Sequence, residues 1–262
     1  MATDPYAAPR ARVADRPDPA AEGVFLPDGQ AVAAIQGWNW IVEGWRLFTR
    51  QPGTWVLVAL VFGIIVVVLA VIPVIGVLAL MVLLPVFVAG FMLACRDLEA
   101  GGELGLGHLF AGFRTNAGRL AVVGLLSLAA YVVLGLIVVA AFWAPLFGAS
   151  GAFGAGGDKA LFSAVRTMLL LGLTVLALSV PIYMALWFAP VLVALNDFGA
   201  GDALKASFRA SLKNIVPFLL YGVIMFAFSL LVGITYGLGW LVLGPVLAGS
   251  VYAGYRDIYY AR

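Results

Sequence analysis

Hydrophobic residues in this chain come in long uninterrupted blocks, and the charged residues sit between the blocks rather than within them. Residues 51–95, 120–157, 167–196 and 214–255 carry no charge. Each ionised group at the centre of a membrane helix costs roughly 2.5–3.5 kcal/mol on insertion scales, so charge-free blocks predict spans. A helix needs about 20 residues to cross roughly 30 Å of hydrocarbon. Blocks 51–95 and 214–255 have room for two spans each, with punctuation at Ile72-Pro73-Val74-Ile75-Gly76 and Gly233-Ile234-Thr235-Tyr236-Gly237. Both are expected to be tight helical hairpins. The other two blocks hold one span each, because glycine and alanine dominate from Gly148 to Gly157 and weaken the apolar signal there. The pattern predicts an all-α integral membrane protein with six transmembrane helices within residues 31–258.

Two stretches outside the spans differ in pattern. Residues 1–30 are rich in Pro, Ala, Asp and Arg without an apolar core. They are expected to form a disordered tail, neither a cleaved signal peptide nor a packed domain. In the following segment Ile35, Trp38, Val42, Trp45 and Phe48 recur every three or four residues, while Glu43, Arg46 and Arg50 occupy other faces. That periodicity predicts an amphipathic helix lying in the membrane interface, set off from the first span by Pro52-Gly53.

Composition agrees with the blocks. The chain of 262 residues is 64% hydrophobic and only 11% charged, with a mean hydropathy of +1.08. An ordinary globular domain carries about 25% charge, so a water-soluble fold is excluded. Orientation follows from the basic residues, which stay on the cytoplasmic side of short loops. Of the 15 lysines and arginines, six spans leave only Lys159 and Arg166 on the far side. Both termini, including residues 259–262, are then expected to be cytoplasmic, with the protein in the bacterial inner membrane.

The chain also repeats itself. Aligning Pro85 on Pro245 brings Arg96-Asp97-Leu98 onto Arg256-Asp257-Ile258, and Gly90 and Ala94 onto Ser250 and Gly254. Upstream, Gly44-Trp45-Arg46 matches Gly112-Phe113-Arg114 and Ser207-Phe208-Arg209, and Asn196-Asp197 closes the middle copy. Three tandem units are expected, at about 35–98, 104–197 and 201–258, each an interfacial amphipathic helix followed by a helical hairpin. The middle unit is longer by a Gly-rich loop and a short helix-like stretch between Ala144 and Arg166. Parallel units of this kind are related by an axis along the membrane normal. The competing explanation is chance alignment among Leu-, Val-, Ala- and Gly-rich spans. Against it, the matched positions include charges and aromatics.

Several residues are candidates for a role. Small residues at four-residue spacing let helix backbones approach closely, which marks Gly90/Ala94, Ser250/Gly254, Gly249/Ala253 and Gly233/Gly237 for helix packing. Pro85, Pro181, Pro190, Pro217 and Pro245 are expected to bend or start helices. The threefold recurrence of both charged motifs suggests that Arg46, Arg114 and Arg209 pair with Asp97, Asp197 and Asp257 in a ring of ion pairs between units. Simple anchoring at the span ends explains the same charges. Tyr183 and Trp187 are candidates for lining a cavity; the latter lies about 13 Å inside by helical rise from Asn196. His108 reads as a solvated interfacial histidine and Cys95 as a small packing residue.

No catalytic constellation is present: no nucleophile with a base, no carboxylate pair and no phosphate loop. One histidine and one cysteine cannot build a zinc site or a disulfide. No enzyme activity, cofactor, metal or nucleic-acid partner is expected. The spans carry no ionisable Asp, Glu, His, Lys or Arg at depth, which argues against charge-coupled transport.

The run Gly37-Trp38-Asn39-Trp40-Ile41-Val42-Glu43-Gly44-Trp45-Arg46-Leu47-Phe48, with Pro52, Leu84-Pro85-Val86 and Ala94-Cys95-Arg96, resembles an uncharacterised family of proteobacterial multi-pass inner-membrane proteins. The resemblance covers residues 35–258. More distantly, the unit of amphipathic helix plus hairpin is similar to membrane domains attached to some bacterial glycerophosphodiesterases, whose hydrolase domain is absent here. The resemblance implies fold and location and carries over no site residues. Three functions are compatible with these features. One is a non-enzymatic protein, a homo-oligomer or bound to a membrane-protein partner, that organises lipid or that partner through its interfacial helices. The others are a passive carrier or channel for a lipid-like substrate, and an accessory subunit of a larger complex.

Overall fold

Backbone amides in hydrocarbon have no water to bond to, so a chain crossing a bilayer closes its hydrogen bonds within helices. The computed structural model describes residues 23–147 and 158–261 and is built on that rule. The amphipathic α1 (Gln36–Arg50) leads into α2 (Pro52–Val71) and α3 (Ile75–Glu99). A 3₁₀ segment (Leu106–Phe113) precedes α4 (Ala117–Phe147) and α5 (Asp158–Leu186), and α6 (Ala189–Asn196) follows after a break. Then come α7 (Ala200–Lys213), α8 (Ile215–Ile234) and α9 (Trp240–Tyr259).

Five stretches are long and apolar enough to cross a membrane: Pro52–Val71, Ile75–Glu99, Ala117–Trp143, Leu161–Asn196 and Ile215–Ile234. The sixth expected span, α9, is not among them, and its surroundings explain why. α1, α2 and α3 all pack on it, so its serine, tyrosines, Arg256 and Asp257 face protein rather than lipid. By contrast α2, α5 and α8 turn Ile64, Val68, Leu169, Leu173, Val223, Phe226 and Leu230 outward as a broad apolar surface.

The expected hairpins form at both punctuated sites. In the first, the Ile75 N–H closes on the Pro73 carbonyl at 2.6 Å around Val74, whose φ is 61°. The short helix-like stretch expected before Arg166 is helical from Asp158 and forms the opening turns of α5, continuous with the span. The expected Gly-rich loop at 148–157 lies outside the described residues. Pro190, near the start of α6, has no N–H to continue the ladder from α5, which accounts for the break at Trp187-Phe188.

Residues 23–30 correct the expected tail, whose remainder lies outside the described residues. Val24-Phe25 pairs antiparallel with Tyr260-Ala261, and a Leu26-Pro27-Asp28-Gly29 turn closes with the Gly29 N–H on the Leu26 carbonyl at 2.9 Å. Gly29 sits at φ +63°, where a side chain would be strained and would meet Ile258. Gln30 then donates its side-chain amide to the carbonyls of Asp257 and Tyr260, satisfying the exposed end of α9. The packed core lies at this end of the bundle, around Trp55, Met92, Leu109, Leu120, Phe188, Tyr255 and Tyr259.

Candidate functional site

The amphipathic α1, the 3₁₀ segment and α7 form a collar at that end, and each is seated through a small residue. Gly44 of α1 rests on α9 so closely that an added Cβ would stand 2.4 Å from the Val246 carbonyl oxygen. Gly112 of the 3₁₀ segment rests on α3, where a Cβ would stand 2.0 Å from the Val86 carbonyl oxygen. Ser207 of α7 meets the break after α5: its hydroxyl accepts from the Phe188 N–H at 2.9 Å and donates to the Met184 carbonyl at 2.8 Å. The serine thereby replaces the helical bond that the broken ladder gives up. The next residue in each motif turns outward, with Trp45 50% and Phe113 41% exposed and Phe208 half-buried.

The small residues matched between copies complete these seats. Gly90 faces the His108 carbonyl, Gly254 lies against the Trp40 indole, Gly249 touches Gly44, and Ser250 is buried beside Gly44 with its hydroxyl on the Val246 carbonyl. Ala94 is buried as well. A Cβ added at Gly233 or Gly237 would meet nothing within 4 Å, so that pair does not serve close helix packing, and Gly237 at φ +86° serves the turn.

The expected ring of arginine–aspartate pairs does not form among the described residues. Arg46 pairs with Glu43 on its own helix, Arg209 with Asp28 at 3.0 Å, and Arg114 is exposed. Helical phase is the reason. The motif glycine faces the neighbouring helix, and two residues on, about 200° round the axis, the arginine points away. Four positions before the glycine stand Trp40, on the same face of α1, and His108, in the tighter 3₁₀ segment, and these two reach the aspartates. The Trp40 indole N–H and the Gln36 amide both donate to Asp257 Oδ2, at 3.1 and 2.8 Å. His108 Nε2 lies 3.1 Å from Asp97 Oδ2, so this histidine is a structural partner rather than a solvated one. Ala203 occupies the matching position of α7, and Asp197 is met instead by the Asn116 amide at 2.7 Å and by Arg119. Sequence reasoning missed Trp40 and His108, although their shared offset from Gly44 and Gly112 was readable.

The structure brings Tyr183 and Trp187 into different surroundings, and Trp187 is a packed aromatic, the commoner case for such a residue. Tyr183 is 57% exposed and leans edge-on against Tyr131, while Trp187 is packed edge-on to Phe218 and Tyr221. A cleft of about 470 Å³ lies elsewhere, between α1 and the C-terminal ends of α3 and α9. Glu43, Arg46 and Arg50 line one wall, and Glu99, Arg256 and Asp257 the other. Glu99 accepts from the Tyr252 hydroxyl at 2.8 Å and pairs with Arg256. Arg50 donates to the Leu98 carbonyl at 2.6 Å, tying the end of α1 to the end of α3. Among the described residues no group of three or more His, Cys, Asp or Glu is placed to share a metal ion.

A probable inner membrane protein of Burkholderia thailandensis is 31% identical to this chain over 229 residues, covering 85% of the chain and 82% of that protein. No family model and no solved structure matches the chain.

Proposed function

The chain belongs to the same family as this Burkholderia protein, and on that footing we propose that it is a non-enzymatic multi-pass inner-membrane protein that organises lipid through its collar. The observation that carries this reading is the two-faced build of α1. One face, Gly37, Trp40, Ile41, Gly44 and Leu47, is buried, while Ile35, Trp38 and Trp45 stand exposed beside Glu43 and Arg46. Aromatic rings flanked by charges settle at headgroup depth. Leu106, Phe110 and Phe113 on the 3₁₀ segment, and Leu212 beside Arg209 and Lys213 on α7, offer similar surfaces at the same end.

We read the architecture as six spans in three tandem units, with α9 the sixth span and both termini cytoplasmic. The seats support this: in each case the interfacial segment of one unit rests on the second hairpin helix of another, α1 on α9, the 3₁₀ segment on α3 and α7 on α5. Cysteines placed at Arg114 and Arg209 in a Cys95→Ser background should label from the cytoplasmic face alone. Labelling from opposite faces overturns the topology. For the function, Trp38→Gln/Trp45→Gln should lower the number of lipids that co-purify in mild detergent without unfolding the bundle. An unchanged lipid count overturns the reading.

One observation favours the second reading, a passive path for lipid-like molecules. α2 lies along α9 and α4 along α3, but the described residues give α8 and α5 no comparable seam. Their apolar faces stand open to the bilayer beyond Trp187, Phe218 and Tyr221. Fluorescent-lipid scrambling in proteoliposomes separates the two readings, since a purely organising protein leaves the scrambling rate at background.

A further inference from the structure

The collar reading leaves open which lipid chemistry it selects, and the polar cleft supplies an answer that rests on that reading. We propose that the cleft between α1 and the ends of α3 and α9 binds a phosphate–primary-ammonium zwitterion, the headgroup of phosphatidylethanolamine. Depth is the first argument. α2 begins at Pro52, directly after Arg50, while α3 ends at Glu99 and α9 at Tyr259. The cleft is therefore set where the spans leave the hydrocarbon, level with headgroups.

Charge is the second argument. Three guanidinium groups, Arg46, Arg50 and Arg256, stand with three carboxylates, Glu43, Glu99 and Asp257, so the cleft is neutral in sum and presents both signs on each wall. A simple anion would gain from the arginines and lose to the acids. A zwitterion satisfies both. Arg46 and Arg50 lie one helical turn apart, each with five N–H donors. One donor of Arg46 goes to Glu43 and one of Arg50 to Leu98. Planar guanidinium forks suit phosphate oxygens better than any other side chain. Among the carboxylates, Asp257 accepts from Gln36 and Trp40 through Oδ2 alone, and Oδ1 takes neither bond. A primary ammonium carries three donors, the complement of Glu43 and Asp257.

The test uses the full chain in detergent, titrated with short-chain phosphatidylethanolamine, short-chain phosphatidylglycerol or free phosphoethanolamine, and reads Trp40-sensitive fluorescence and melting temperature. Phosphatidylethanolamine should bind saturably and phosphatidylglycerol should not. Competition by free phosphoethanolamine at similar concentration would assign the site to a soluble zwitterion, and lack of competition to the lipid. Arg46→Gln, at an exposed side chain whose one ion pair is local, should weaken binding about tenfold, the size of one lost charged hydrogen bond. Glu43→Gln should shift preference toward phosphatidylglycerol, a change that a merely structural role does not produce. No saturable binding of either zwitterion, an equal response to phosphatidylglycerol, or indifference to both substitutions overturns the proposal. The collar reading fails separately, through an unchanged lipid count in Trp38→Gln/Trp45→Gln.

Discussion

Replacing Gly44 by alanine tests how closely α1 is seated on α9. An alanine Cβ would stand 2.4 Å from the Val246 carbonyl oxygen and 2.7 Å from the Ser250 nitrogen, where ordinary contact begins at 3.4 Å. Both neighbours are helix backbone and cannot swing aside, so α1 must retreat by about 1 Å, a gap that forfeits a quarter to a half of each dispersion contact along the seam. The retreat also stretches the 3.1 Å bond from Trp40 to Asp257. Overpacking of this kind costs roughly 1–3 kcal/mol. Alanine returns up to about 1 kcal/mol through helix propensity. The net expectation is a loss of about 1–2 kcal/mol in reversible unfolding of the full chain in mixed micelles. Gly63→Ala in α2 is the internal control, because nothing lies within 4 Å of its added carbon. It should be neutral or slightly stabilising. If Gly44→Ala proves as stable as Gly63→Ala, α1 does not rest backbone to backbone on α9.

Other substitutions have signed expectations in the same unfolding assay. Ser207→Ala strips the buried Phe188 N–H of its acceptor and should cost about 1–3 kcal/mol, with faster amide exchange at Phe188; protection equal to the parent would contradict the bridging role. Val74 holds φ 61° and ψ −61° at the hairpin tip, a strained turn for a β-branched residue. Val74→Gly should therefore gain about 1–2 kcal/mol, and a lower unfolding midpoint would refute the strain. The Tyr259 hydroxyl is buried with no hydrogen-bond partner among the described residues. Tyr259→Phe should be neutral or gain up to about 1 kcal/mol, and a clear loss would reveal a partner.

What was legible in the sequence is what depends on the bilayer. Gaps between charges located the five long apolar helices because lipid penalises charge regardless of neighbours, and Ile72–Gly76 marked a hairpin because proline and glycine act locally. The apolar stripe through Ile35, Trp38 and Trp45 was legible as a surface, but it is the outward face, and the seated face is the one carrying Gly44. Nothing in the hydrophobic period tells which apolar face meets lipid and which meets protein, since both are oily. Ion pairing between motifs was misjudged for a related reason: recurrence in sequence fixes spacing, whereas pairing needs the phase of each helix against its neighbour. The docking of residues 23–30 was foreshadowed only by Val24-Phe25-Leu26 and the Pro27-Asp28-Gly29 turn, because the strand partner lies more than two hundred residues away. α9 shows the converse, a helix whose tyrosines lower its hydropathy because other helices shelter them.

The clasp between Val24-Phe25 and Tyr260-Ala261, with α1 lying along α9, sets an order on biosynthesis. α1 leaves the ribosome well before its seat exists, and at the usual 5–20 residues per second the wait until α9 follows lasts roughly 10–40 s. Throughout that interval the Gly44 face is without the α9 surface on which it rests in the folded chain. Closure thus waits for α9, and a ribosome that stalls before residue 240 leaves α1 without its seat. Such a product offers quality-control proteases an open end that the finished molecule keeps shut.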